Sequence, residues 1–444
     1  MARGWKTVSR AASLILAVLL LGSVAATAPV LAAGTTIEFW HCEVEQARQD
    51  TTNALLAEFQ AANPGIVVKV QAIEENDMRT KLTTAQAARR LPNLVSLSSE
   101  LILRLGNAGL LDTKAAAEVI DGFGRKDFYA GALGFVSTPE GGHYAVPYTG
   151  WVQGIWYRKD WFEAKGLAAP TTWEAILAAA KAFNAPNDRV YGIIIGTSKD
   201  LYAEQVFTQF ALSNRAYLFS ADGKVTFNTP EMVEALRFYK DLANYTPPGP
   251  ESWREARDLY LNGTCAMMFY STFIMDDIGI ERTGFKGAIV RDLVKKTGFA
   301  PFVKHAVPAS FGAVSAFGIT STSSQEQVEA CKKLIRFLMT KEDYIKLMHM
   351  APGGFNPVLK SVAKSPEFLE EPVLKAWGDT YRTIAEGLDS IQTFALREGR
   401  IFPDYGNISA QFIIGEALYN LTEKNWTPEE TAEWAQKKME QTVK

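Results

Sequence analysis

The chain has 444 residues, of which 47% are hydrophobic and 21% charged. That balance excludes a disordered polymer and leaves room for two or more domains with sizeable cores. A formal net charge of −3 argues against a nucleic-acid partner, which would favour a basic face.

Residues 1–33 differ in kind from the rest. Arg3, Lys6 and Arg10 precede an apolar run over 11–26, and Val30-Leu31-Ala32 has the small-residue spacing of a cleavage site. The segment reads as a secretory signal peptide cut near Ala32 or Ala33. Its strongly apolar part is too short for a membrane span, and no Cys stands at the cleavage point to carry a lipid. The mature chain is expected to be soluble and periplasmic.

The mature chain opens with a predicted strand over 36–40 and a loop over 41–45. Leu55, Leu56 and Phe59 are spaced for a helix over 46–62, which Asn63-Pro64-Gly65 stops. Ile66, Val68 and Val70 alternate as a second strand; a helix over 78–88 and a third strand over 94–97 follow. Strand–helix–strand–helix–strand order predicts a mostly parallel sheet covered by helices.

Further along, Val146-Pro147 ends one apolar run and a separate strand runs over 154–157. Proline cannot donate to a sheet ladder, so it belongs at a strand end or crossover. Thr171 followed by Glu174 fits a capping box. Strands are predicted over 191–195, 265–269 and 314–320, with helices over 201–212, 230–243 and 253–262. The C-terminal part reads as helices over 325–339, 341–349, 371–388, 409–421 and 428–442, with Thr427 and Glu430 forming a second capping box.

Chemical motifs are absent. The four His residues have no metal-ligand spacing, and Gly122-Phe123-Gly124 lacks both the third Gly and the preceding strand of a nucleotide site. Three Cys cannot all pair; Cys265 and Cys331 lie in apolar patterns and read as buried thiols. No metal, cofactor or catalytic residue is expected. A glycosidase carboxylate pair is defined in space, not along the chain, so a secreted carbohydrate-active enzyme stands as the rival from another class.

Aromatic residues gather where strands pass into loops: Tyr148, Trp151, Tyr270, Phe273 and Phe355. Ligands of open parallel sheets bind at such ends, and aromatic faces suit the C–H faces of sugars. Trp40, Trp156 and Trp161 lie inside strand or helix patterns and read as core. Gly354, in the Gly353-Gly354 turn, leaves its backbone open to close approach.

Residues 143–183 carry a family pattern: HYAVPY, then GIWYRKDWFEAKGLAAPTTW. This resembles the lobe-crossing segment of extracellular solute-binding proteins of ABC importers, the family that includes maltose-binding protein. Arg158 stands where that pattern has Asn, and Asn93 where the N-terminal lobe pattern has Asp. The resemblance implies a two-lobed α/β fold, each lobe a mostly parallel sheet flanked by helices. Three crossings near 146–151, 265–271 and 314–320 would form the hinge. The implied lobes are 34–147 plus 270–314, and 148–269 plus 315–444. It also implies a monomer that captures a carbohydrate, delivers it to the permease subunits of an importer, and does no chemistry.

Ligand residues carried over by the resemblance are Glu43 and Glu45 after the first strand, Glu100 at a ligand-binding Asp, and Phe273 at a sugar-stacking Trp. Phe412 falls near another such Trp, and Tyr202 and Glu204 near an acidic-aromatic ligand stretch. An alternative ligand within the same fold is a glycerol-phosphate compound, with Arg397 and Arg400 pairing the phosphate.

Overall fold

The computed structural model describes residues 34–279 and 292–443. The expected signal peptide lies outside the described residues. Three strands open the fold: β1 (Thr35–His41), β2 (Ile66–Ala72) and β3 (Leu94–Ser98). The long β4 (Val146–Arg158) follows, then β5 (Met267–Ser271) and β6 (Thr297–Ala300). A small ribbon pairs β7 (Val303–Lys304) with β8 (Pro308–Ala309). Next come β9 (Phe311–Ile319) and the short β10 (Asn356–Pro357). The main sheet runs β10-β4-β9-β3-β1-β2, and β5 and β6 attach to β4.

Only β1–β2 and β1–β3 are parallel. β9 meets β3 antiparallel, and every pairing of β4 is antiparallel. The expectation of mostly parallel sheets is therefore corrected to a mixed sheet. The parallel pairs come from strand–helix–strand crossovers, whereas β4 and β9 run between the two bodies and enter in the opposite direction.

β4 is one strand of 13 residues, not the two short strands expected. Residues 146–153 pair with β9, 153–157 with β5 and 155–158 with β6. Pro147 sits inside it, where the register shifts between Pro147 and Thr149. Such an irregularity spares the missing N–H.

Two bodies flank this strand. In the first, helices Gln46–Ala62, Thr113–Phe123, Gln325–Leu338 and Lys341–Met348 pack on one another and on β1, β2 and β9. In the second, helices Leu201–Ser213, Pro230–Ala243, Ile413–Thr422 and Pro428–Thr442 pack together, and Trp253–Leu261 covers β5. Two contacts bear on the expected lobe division. Residues 315–319 ladder onto β3 and the Gln325–Leu338 helix packs on β1, so this stretch goes with the first body. β6 ladders onto residues 155–158, so it goes with the second.

Trp156 is core, as expected. It is fully buried, its indole N–H donates to the Tyr270 carbonyl at 3.0 Å, and it meets Phe299 and Trp377 at 4.4 and 5.3 Å. Cys265 and Cys331 are buried free thiols, and Cys42 is a half-buried one.

Helix ends explain several boundary differences. Thr172, not Thr171, caps Trp173–Phe183, its hydroxyl accepting from the Ala175 N–H. Glu174 is then one residue too early to complete a capping box. Thr427 and Glu430 do form one. The expected helix over 371–388 breaks at Gly378, where φ is +50°. The one over 409–421 breaks at Phe412, a non-Gly residue at φ +54°. The strand expected over 191–195 reduces to bridges from Tyr191 to Cys265 and Ile194 to Met268. Among the described residues no helix is long and apolar enough to cross a membrane.

Candidate ligand site

Because β1, β2 and β3 run parallel, their carboxyl ends open on one edge of the first body. Polar loops gather at such an edge. β1 leads into Glu43, β2 into Glu75 and Arg79, and β3 into Glu100. Glu100 lies in the first turn of the Ser99–Asn107 helix, where the helix dipole favours a carboxylate.

The Glu43 group forms first. Glu43 Oε2 accepts from Arg48 Nη1 at 2.9 Å, and both side chains are largely buried. Burial pushes the Glu43 carboxyl up, and Arg48 counters it. The Arg48 guanidinium lies 5.6 Å from the rings of both Phe273 and Phe355. Cation–π contacts of this kind hold aromatic loops to a charged wall. Phe273 and Phe355 meet edge-on at 5.7 Å. Gly354 lets Phe273 in: a Cβ there would stand 2.2 Å from the Phe273 ring. The close approach expected at Gly354 is therefore made by Phe273. His41 sits behind Glu43, accepting the Glu43 N–H through Nδ1 at 3.2 Å, and burial lowers its pKa to about 4.

The second group joins the two bodies. Glu204 projects from the Leu201–Ser213 helix and is fully buried. Tyr405 donates to Glu204 Oε1 at 2.5 Å. Burial, and to a lesser degree the Glu100 charge, raise Glu204 to about 7, while Tyr405, Ser409 and Arg79 pull the other way. The Tyr405–Ala410 helix packs so closely on Ser99–Asn107 that a Cβ on Gly406 would lie 2.5 Å from the Glu100 carbonyl oxygen. Glu100 itself is 2% exposed.

Arg79 completes this group. Its guanidinium lies 5.0 Å from the Phe412 ring, across from the Tyr405–Ala410 helix. The residue is 6% exposed, and none of its three side-chain nitrogens has a hydrogen-bond partner among the described residues. Glu204 Oε2 is likewise buried without a partner among them. Glu75, one turn before Arg79, keeps solvent contact yet sits in a crowded concave place. Desolvation raises its carboxyl, with Arg79 opposing and Glu100 and Glu43 adding.

The remaining expected residues are dispersed. Trp151 is partly exposed, its ring 5.7 Å from Phe311. It shares a strand face with Gln153, whose amide donates to the Gln205 carbonyl of the Leu201–Ser213 helix at 2.9 Å. Tyr148 is buried beneath the Glu43 loop, stacked 4.1 Å from Phe317, its hydroxyl 3.0 Å from that of Ser96. Tyr270 is 6% exposed and 6.4 Å from Tyr202. Tyr202 itself donates to the Phe269 carbonyl at 2.6 Å. Glu45 is exposed beside Arg48. Arg400 is exposed and donates to the Ala221 carbonyl at 2.7 Å; Arg397 donates to that of Phe219 at 2.9 Å. These two bonds tie the hairpin over 396–401 to the 217–221 loop.

A separate hollow of about 730 Å³ lies between β1 and the Glu75–Ala87 helix, lined by Glu38, Trp40, Lys81 and Asn93 among others. It contains neither group above. Trp40 forms one wall, with the Lys81 ammonium 4.5 Å from its ring.

Arg48, Glu75, Arg79 and Tyr405 were not among the residues singled out in the sequence. The strand-end rule applied to the aromatic residues extends to the loop after β2, and it was the available signal for Glu75 and Arg79. Nothing local marks Tyr405.

Two α/β bodies joined by shared strands, with polar groups from both meeting between them, define a bilobal binding protein. The model of the bacterial extracellular solute-binding protein family matches residues 45–345. The chain belongs to that family. It is 34% identical over 410 residues to YcjN of Escherichia coli K12, a putative ABC transporter periplasmic-binding protein, covering 92% of this chain and 93% of that one. Among solved structures it is similar to an ABC transporter solute-binding protein from Agrobacterium radiobacter K84 in complex with ribitol. The TM-score is 0.73 at 23% identity, with 92% and 98% of the two chains covered. The maltose-bound MalE3 of T. maritima gives a TM-score of 0.72 at 22% identity, covering 91% and 98%.

Proposed function

We propose that this chain captures an uncharged sugar or polyol between its lobes and delivers it to the permease subunits of an ABC importer. The observation that carries the reading is the convergence of Arg79 and Glu100 from the first body, and Tyr405 on the helix packed against Ser99–Asn107, with Glu204 from the second. The YcjN likeness supports the importer role, and the ribitol and maltose complexes support the ligand class. The protein works as a monomer in the periplasm after loss of residues 1–33, so mature protein begins near Ala33 or Gly34. Closure follows binding because ligand contacts come from both lobes, and β4 and β9 serve as the hinge.

A thermal-shift screen against sugars, polyols and their phosphates tests this, since a ligand that binds only the folded state raises Tm. An upward shift with an uncharged sugar or polyol is expected. Product formation from an oligosaccharide would instead favour the enzyme reading. The glycerol-phosphate alternative, with Arg397 and Arg400 as its cations, has weaker support, since one N–H of each already donates to a backbone carbonyl.

A further inference from the structure

We infer that Arg79 and Glu204 act together as the specificity filter of the cleft, selecting a ligand with neighbouring uncharged hydroxyls and rejecting its phosphorylated or carboxylated form. The inference rests on the interlobe reading above and assigns its preference for an uncharged ligand to two named residues.

Arg79 has its charge met but its hydrogen bonds unmet. Glu75 and Glu204 both lie within its field. No ion pair to Arg79 forms among the described residues, and Nε, Nη1 and Nη2 donate to none of them. A guanidinium offers five N–H donors in a fixed fork. Leaving buried donors unmet is costly, and a bound ligand in place of water can supply the acceptors. Glu204 presents the converse need. Its Oε1 is held by Tyr405; the Ser409 hydroxyl lies close enough to lower the carboxyl, yet Oε2 makes no well-formed hydrogen bond among the described residues.

A hydroxyl answers both needs, since it accepts from the guanidinium and donates to the carboxylate. Should Glu204 hold a proton, the same hydroxyl accepts it. With Glu204 ionised, a phosphate or carboxylate satisfies only Arg79. It offers no donor to Oε2 and brings negative charge beside Glu75, Glu100 and Glu204. Arg48 is not available to compensate, because it is committed to Glu43 at 2.9 Å. Arg104 lies within the field of Arg79 and donates to the Thr83 hydroxyl at 2.8 Å. Phe412 fixes the fork from behind. Its backbone is held at φ +54°, which a side-chain-bearing residue rarely adopts.

Titration calorimetry on the full mature chain tests this with two matched pairs of probes: ribitol with ribitol 5-phosphate, and maltose with maltobionate. The uncharged member of the better-bound pair should bind at least tenfold more tightly than its charged partner. Arg79→Met should weaken the uncharged probe at least tenfold. Arg79→Lys keeps the charge and loses the fork, so it should fall between the two, and it serves if the Met variant does not fold. Glu204→Gln should narrow the gap between charged and uncharged probes. A charged probe that binds as tightly as its partner, or an Arg79→Lys protein with unchanged affinity, overturns the filter and leaves the carbohydrate reading standing. No binding by any of the four probes contradicts the carbohydrate reading and the filter together.

Discussion

The Tyr405 hydroxyl donates to Glu204 Oε1 at 2.5 Å, tying the helix that packs on Ser99–Asn107 to the Leu201–Ser213 helix of the second body. A buried carboxylate is thus held at the seam between the lobes, and its ionisation acts on stability.

Burial raises Glu204 to about 7 from an ordinary value of 4.5. The folded chain therefore binds this proton more tightly than the unfolded chain does. Its contribution is fully favourable below about pH 4.5, declines as pH rises, and is lost above about pH 7. A shift of this size corresponds to about 3 kcal/mol at most. Glu204→Gln keeps the acceptor for Tyr405 and removes the titration. Relative to wild type, it should gain roughly 1–3 kcal/mol between pH 5 and pH 8.5 in denaturant melts. A difference independent of pH would contradict this placement of the charge.

Trp151 and Trp156 should part company. Trp156 is fully buried and bonded to the Tyr270 carbonyl, so Trp156→Ala should cost about 3–5 kcal/mol of stability. Trp151 is partly exposed on the face that looks toward the Leu201–Ser213 helix. Trp151→Ala should weaken ligand binding by about 1–3 kcal/mol with a smaller loss of unliganded stability. Equal stability losses for the two would make Trp151 a core residue.

Arg400→Ala should leave ligand affinity unchanged. The side chain is exposed and spends its hydrogen bond on the Ala221 carbonyl. The expected stability loss is about 1 kcal/mol. A tenfold loss of affinity for any probe, read by calorimetry, would return Arg400 to the site.

Gly354→Ala should disturb the loop pair over Arg48. The added Cβ would stand 2.2 Å from the Phe273 ring, so the ring must move from its place beside Arg48 and Phe355. Such overpacking costs about 1–3 kcal/mol. A thermal melt identical to wild type would show that Phe273 yields freely.

Local patterns made much of this fold legible. The Leu55, Leu56, Phe59 spacing and the Asn63-Pro64-Gly65 stop give the first helix its observed span, Gln46–Ala62. The register of β4 was not legible, because Pro147 reads as a strand end while the ladder absorbs it in a register shift. The two helix breaks were unequal: Gly378 is a visible hinge residue, whereas Phe412 at φ +54° defies its own preference. In the candidate site, the family resemblance pointed to Glu43 and Glu100, and strand ends to the aromatic residues. Arg79 lies on a helix, where a charge usually faces solvent, and no local pattern within that helix sets it apart. Tyr405 reaches Glu204 across 201 positions of chain, a separation that no local pattern encodes. Tyr148 and Tyr270 are aromatic at strand ends, as a cleft would require, yet both are nearly buried.

The central claim is that ligand held by both lobes closes the cleft about β4 and β9. Small-angle scattering on the mature chain, with and without the sugar or polyol that most raises Tm, tests it most directly. Glu100 and Arg79 on one side and Glu204 on the other must contact the same ligand, and only the closed state provides both sets. The radius of gyration should fall on saturation, and Arg79→Lys should reduce both the affinity and the extent of that fall. A scattering profile unchanged at saturating ligand would contradict the account.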